Sequence, residues 1–139
     1  MILRVSFEEL TALTASAGRV LDAYGTGGRV SAPAEVAATL ETLLSELTGD
    51  LSVETLEQQQ RLERALQAVL EDAKRRMDEL IIEQYPAAED AVAAYFEYAH
   101  VLTVLDRLRK MGMEMRAIIE LTTGRPADEK TARTVTFPD

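Results

Sequence analysis

The sequence predicts an all-α protein, a helical bundle built on a long antiparallel helical hairpin of two helices at about 53–84 and 86–123. Apolar residues recur at spacings of three and four along both segments, which is the period of an amphipathic helix. Pro86 separates the segments with almost no loop, so the second helix must turn back along the first to bury its apolar stripe. Abundant Ala, Leu and Glu also favour helix over sheet.

The second hairpin helix carries the most regular pattern in the chain. Gly112 interrupts this pattern, and its missing side chain predicts a close helix crossing. We expect the helix to end at about Thr123, because Gly124 suits a left-handed cap and Pro126 prevents continuation. The seam is Ala91, Ala94, Tyr98, Val101, Leu105, Leu108, Gly112, Met115 and Ile119.

Two shorter helices are predicted before the hairpin. Ser6 and Glu9 have the spacing of a capping box, so the first helix should begin at about Phe7 and end before Gly25. Residues 25–28 form a glycine-rich loop without the lysine of a phosphate-binding loop. Pro33 suits the first turn of the second helix, which should stop near Gly49. We expect Ser52 to cap the first hairpin helix.

The pattern divides the chain into a single helical domain, 1–124, and a polar extended or flexible C-terminal tail, 125–139. The pattern is also compatible with short strands near the two ends of the chain. Residues 134–137 alternate like a strand, and their partner could be residues 3–5 of the same chain or of another copy.

Charge and composition limit the classes of partner. The formal net charge is −9 and the basic residues are mixed with acids, so no nucleic-acid partner is expected. No apolar run approaches the roughly 20 residues of a membrane span, so no membrane partner is expected either. The chain has no cysteine and its first residues lack a signal-peptide pattern, which predicts a cytoplasmic protein.

Between Ala91 and Leu105 the second hairpin helix is apolar nearly all round, and such a helix is normally buried on most sides. We therefore expect a homodimer, in which two hairpins pair. The alternative is a monomer whose first two helices cover every apolar side. The leading interpretation is a non-enzymatic protein–protein interaction module, a scaffold, adaptor or small regulator without a cofactor. Its expected interface residues are Tyr95, Phe96, Tyr98, Leu102, Val104 and Met111.

Two chemical alternatives remain open at this point. Glu97 and His100 have the Glu-x-x-His spacing of metal-binding ferritin-like bundles. A site for iron or zinc would have to be shared across a dimer, with Glu71, Glu79 or Glu83 as further ligands. The second alternative is a helical nucleotide hydrolase that binds magnesium through Glu54 and Glu57, although the full set of acidic pairs is missing.

Overall fold

A computed structural model of the chain describes residues 1–25, 34–82 and 88–139. Its long helices α3 and α4 pack antiparallel, so the predicted hairpin is confirmed, as are the two shorter helices before it. The turn that contains Pro86 lies outside the described residues, as do Pro33 and most of the glycine-rich loop. The elements are β1 (Ile2–Leu3), α1 (Phe7–Gly25), α2 (Ala34–Glu46), β2 (Leu51–Ser52), α3 (Leu56–Ile82), α4 (Ala88–Thr123) and α5 (Glu129–Thr134).

Local signals fix both the start of α1 and the end of α4. The Ser6 N–H donates to Glu9 Oε1 at 2.8 Å, and the Glu9 N–H donates to Ser6 Oγ at 3.2 Å. This is the predicted capping box, and α1 begins at Phe7. At the other end of the fold, Gly124 has a φ of 71° and its N–H donates to Glu120 O at 2.8 Å. The predicted left-handed cap is therefore confirmed.

The start of α3 differs from the prediction. The helix begins at Leu56, and its cap is Thr55, whose Oγ1 accepts from the Gln58 N–H at 3.2 Å. Gln58 Oε1 accepts in return from the Thr55 N–H at 3.3 Å, which completes a second capping box. The predicted cap, Ser52, was wrong because this residue belongs to β2, and its hydroxyl donates to Asp139 Oδ1 at 2.7 Å.

The short sheet pairs different segments from those predicted. β1 lies antiparallel to β2, with Ile2 opposite Ser52 and Leu3 opposite Leu51. The Val53 N–H extends the pairing by donating to Met1 O at 2.8 Å. The predicted pairing of residues 134–137 with residues 3–5 of the same chain was wrong, because Thr134 ends α5 and the Phe137 N–H donates to Glu54 O instead. The pairing with another copy stays a prediction.

The C-terminal segment is more ordered than the expected extended or flexible tail. Asp128 caps the short helix α5 through a capping box with Thr131. Ala132 and Phe137 are buried in the same core cluster as the other helices. The Phe137 N–H also donates to Glu54 O at 2.7 Å, which fixes the segment beside the start of α3. Burial of the Phe137 ring stabilises the packing of this polar segment against the core.

Gly112 lies where α3 and α4 approach each other. A Cβ atom on Gly112 would lie 2.5 Å from Nε2 of Gln59, a side chain that is 2% exposed. Gln59 Nε2 donates to Leu108 O at 2.9 Å and to Glu63 Oε1 at 3.0 Å. The predicted close crossing at Gly112 is confirmed, and the buried amide has partners on both helices.

None of the helices in the described ranges combines the length and the apolar character that crossing a membrane requires.

The crossing predicts opposite effects for two glycine substitutions. Gly112→Ala should lower the free energy of unfolding by about 1–3 kcal/mol, because the new methyl group displaces the Gln59 amide. Gly18→Ala is the matched control, since Gly18 lies inside α1 with nothing within 4 Å of the position that a Cβ atom would take. It should stabilise the protein by up to about 1 kcal/mol through helix propensity. Urea unfolding monitored by circular dichroism measures both, and equal effects would contradict the crossing.

A second pair of variants tests whether the C-terminal segment belongs to the core. Phe137→Ala should cost about 3 kcal/mol, because a ring that is 6% exposed leaves a cavity. Phe7→Ala, at a ring that is 77% exposed, should change stability by less than about 0.5 kcal/mol. If urea unfolding gave both variants the stability of the parent, the packing of Phe137 would be refuted.

Candidate interaction face on the fourth helix

The N-terminal half of α4 has an uncovered apolar surface, which we call the outer face: Val92, Tyr95, Phe96, Ala99 and Leu102. The exposed fractions are 51% for Val92, 55% for both Tyr95 and Phe96, and 38% for Leu102. Ala99 is half-buried between them. The Tyr95 and Phe96 rings contact edge to face, with centroids 5.8 Å apart. Because contiguous apolar patches that are exposed to solvent often mark interaction sites, this face is the candidate functional site.

The six residues expected at an interface divide into three groups. Tyr95, Phe96 and Leu102 lie on the outer face, while Tyr98 is half-buried against the core. Val104 and Met111 are 1% and 8% exposed within a single chain, so neither is available to a partner. Their assignment to an interface is corrected for that reason. Because α4 is apolar nearly all round, its sequence alone does not say which side α1 covers.

Charged residues of opposite sign flank the outer face. Glu89 and Asp90 are exposed in the first turn of α4, before the face begins. Arg109 and Lys110 are exposed beyond its other end, where Lys110 Nζ lies 3.0 Å from Asp106 Oδ2. The end of the face near Glu89 is therefore acidic, and the end near Lys110 carries more basic groups than the first.

Glu97 is the centre of an ionic cluster that joins three helices. Its Oε2 accepts from Arg76 Nη1 of α3 at 2.9 Å, and its Oε1 contacts the Ser16 hydroxyl and the Arg19 guanidinium of α1. The Glu97 side chain is only 14% exposed. Because a buried carboxylate must be paired, these contacts hold α1 and α3 against one side of α4.

Asp72 adds a second carboxylate to this cluster. Its side chain is 6% exposed, and Oδ1 accepts from Arg75 Nη2 at 2.7 Å. Oδ2 lies 3.7 Å from Arg19 Nε, a separation that is an ion pair and not a hydrogen bond. The two carboxylates thus lie among three arginines, whose positive charges disfavour a cation at this position.

The residues proposed as metal ligands are not brought together. Glu97 is bound by arginines, and His100 is half-buried and stacks on Phe96 with ring centroids 6.5 Å apart. Glu71 is exposed, Glu79 pairs with Arg75 at 2.8 Å, and Glu83 lies outside the described residues. Within the described ranges, no three His, Asp or Glu side chains form a group that could hold a metal ion.

The acidic pair of the hydrolase alternative lies at the start of α3. Glu54 is exposed and precedes α3, and Glu57 forms an ion pair with Arg61 at 3.0 Å. This arrangement is that of a helix N-terminus with an ordinary i,i+4 ion pair.

A further ionic contact fixes the start of α1 on α4. Arg107 Nη1 lies 2.6 Å from Glu9 Oε1 and 3.0 Å from Arg4 O. Burial raises the pKa of Glu9, but the hydrogen bonds from Arg107 and Ser6 outweigh burial and lower the pKa below its ordinary value. Glu9 therefore stabilises both the capping box and the α1–α4 contact as a carboxylate. With α1 held on this side, the outer face stays open.

Comparison of the chain with protein-family models, curated proteins and solved structures finds no significant match. The function is therefore argued from the surface of the molecule.

The Glu9 contact predicts a pH-dependent loss of stability. A carboxyl group with a lowered pKa in the folded state stabilises the fold above its unfolded pKa, near 4.5, and loses that contribution as the pH falls through the folded value. Glu9→Gln should cost about 1 kcal/mol at pH 7, a modest figure because Arg107 is partly solvent-screened. Urea unfolding at a series of pH values should show the difference from the parent protein narrowing below about pH 4.

Glu8→Gln is the control for this experiment, since it removes the same charge from the exposed neighbour. It should change stability at pH 7 by less than about 0.5 kcal/mol. A constant gap between Glu9→Gln and the parent protein at every pH would contradict the assigned role of the carboxylate.

Proposed function

We propose that the protein is a non-enzymatic protein–protein interaction module that acts as a homodimer through the outer face of α4. The observation that carries this proposal is the group of exposed apolar side chains at Val92, Tyr95, Phe96 and Leu102, placed together on one side of a long helix. Contiguous apolar surface of this kind is typical of interaction sites. Tyr and Phe are also residue types that are enriched at the centres of such interfaces.

The outer face offers enough apolar area for the centre of an interface. A fully buried aromatic side chain removes about 150–250 Å² from water, so Tyr95 and Phe96, each just over half exposed, still hold about 100 Å² apiece. A standard interface buries about 800 Å² on each partner. The aromatic pair with Val92 and Leu102 would form the apolar centre, and the polar flanks of α4 would form the rim.

The distribution of charge supports a second copy as the partner, bound antiparallel. In a twofold pair of α4 helices centred on Ala99, the acidic start of each face lies near the basic end of the other. Glu89 then approaches the region of Lys110 of the second copy. A parallel pair would place like charges together, which is unfavourable. Ala99 also has a small side chain, which allows two helices to approach closely at the centre.

A cytoplasmic location is part of the same proposal. The absence of cysteine fits a reducing compartment, and the acidic net charge fits a partner that is a protein and not a nucleic acid.

The dimer predicts a mass of twice 15.3 kDa in light scattering coupled to size-exclusion chromatography. Phe96→Glu should shift the protein to the mass of one chain, because burying a carboxylate at the centre of the interface is unfavourable. Leu102→Glu should act in the same way. Phe7→Glu is the matched control, an exposed aromatic residue on α1 that should leave the dimer intact. A parent protein with the mass of one chain at high concentration would refute the proposal.

Cysteine cross-linking tests the orientation, since the chain has no native cysteine. Ala99→Cys should form a disulfide-linked dimer under mild oxidation, because the twofold axis places the two copies of residue 99 together. Met113→Cys, about 21 Å further along α4, should not cross-link. Efficient cross-linking at both positions would indicate a parallel pair and would contradict the charge argument.

A further inference from the structure

A groove lies between α3 and α4, on a different part of α4 from the outer face. Its volume is about 510 Å³, within the range of ligand-binding clefts. Gly112 lies in its lining, at the point where the Gln59 side chain of α3 packs against α4. The remaining lining residues are mostly polar and come from both helices: Gln59, Gln60, Glu63, Arg64, Arg109, Met113 and Arg116.

The groove is basic, although the chain as a whole is strongly acidic. Three arginines line it against one carboxylate, Glu63, while the formal net charge of the chain is −9. Arg64 is paired with Glu35 at 2.6 Å, whereas Arg109 donates to the neutral amide of Gln67. The Arg116 guanidinium makes no hydrogen bond or ion pair with any residue in the described ranges. Arg109 and Arg116 are therefore two guanidinium groups without a carboxylate partner there.

The spacing of these two arginines fits a ligand with repeated negative charges. Arg109 and Arg116 are seven residues apart, which places their Cα atoms on the same side of α4 and about 10.5 Å apart along the helix axis. Three residues of extended chain span about the same distance, at about 3.3 Å per residue. Guanidinium groups also bind carboxylates through paired hydrogen bonds.

We propose that this groove binds an acidic segment of a partner protein, with carboxylates three residues apart engaging Arg109 and Arg116. Met113 lies between the two arginines and is 70% exposed, so its side chain can contact the aliphatic part of the segment. This site is additional to the proposed dimer and does not require it.

Fluorescence anisotropy with a labelled peptide of four Glu-Gly-Ser repeats tests the proposal on the full-length protein. The peptide should bind with an affinity that falls as salt is raised, because exposed charges are screened. A peptide with glutamine in place of glutamate should not bind. The double variant Arg109→Ala and Arg116→Ala should weaken binding by about tenfold or more, since two charge-assisted contacts are lost. Circular dichroism checks that its helix content is unchanged.

The matched control is the double variant Arg125→Ala and Arg133→Ala, which removes the same charge from exposed positions outside the groove. It should change affinity by less than about twofold. Equal weakening by both double variants would reduce the interaction to general electrostatics and overturn the proposal. Loss of peptide binding in Phe96→Glu would place the site on the outer face and also overturn it. Displacement of the peptide by equimolar inorganic phosphate would show that the ligand is a small anion, which contradicts the proposal.

Discussion

The packing of α3 against α4 depends on the missing side chain at Gly112. The Gln59 amide occupies the space that a Cβ atom would need, and it donates to a carbonyl of α4 from inside the core. A buried amide without partners would be costly, so this hydrogen bond ties the register of the two helices to one position. That register also sets the rotation of α4 about its own axis, and therefore the direction in which each of its remaining sides points.

Ionic contacts then decide which side of α4 is covered by α1. Glu9 with Arg107 and Glu97 with Arg19 join the two helices at points about three turns apart along α4. Buried ion pairs add little net stability compared with apolar packing, but an unpaired partner would be strongly unfavourable. They therefore favour the observed placement of α1 on α4. In that placement Val104 is covered and Phe96 is left in water.

The hairpin was predictable because periodicity is a long-range signal, repeated over many turns, and because Gly124 and Ser6 act on their own neighbours. The residue that caps a single helix was harder to predict from the sequence. Ser52 and Thr55 both precede α3, and the strand pairing that removes Ser52 from consideration involves residues near the start of the chain. Asp128 and Thr131 also form a cap, but a helix of six residues gives no periodic pattern. Tyr95, Phe96 and Leu102 of the expected interface are exposed. The burial of Tyr98, Val104 and Met111 depends on contacts with other helices, which the sequence of one helix does not reveal. The Glu-x-x-His spacing likewise could not reveal that Glu97 is bound by arginines, because those arginines lie on other helices.

The outer face and the basic groove occupy different segments of α4. The apolar residues lie between Val92 and Leu102, whereas Arg109 and Arg116 lie nearer the C-terminal end of α4. An antiparallel dimer centred on Ala99 would therefore leave the two grooves at opposite ends of the pair. Each end would present one basic groove, and the dimer would hold both at a fixed distance. Two sites on a rigid pair bind a partner with two acidic segments more tightly than either site alone, provided that the partner can span them. A long helical hairpin is suited to such an arrangement, because its length sets the distance between the sites.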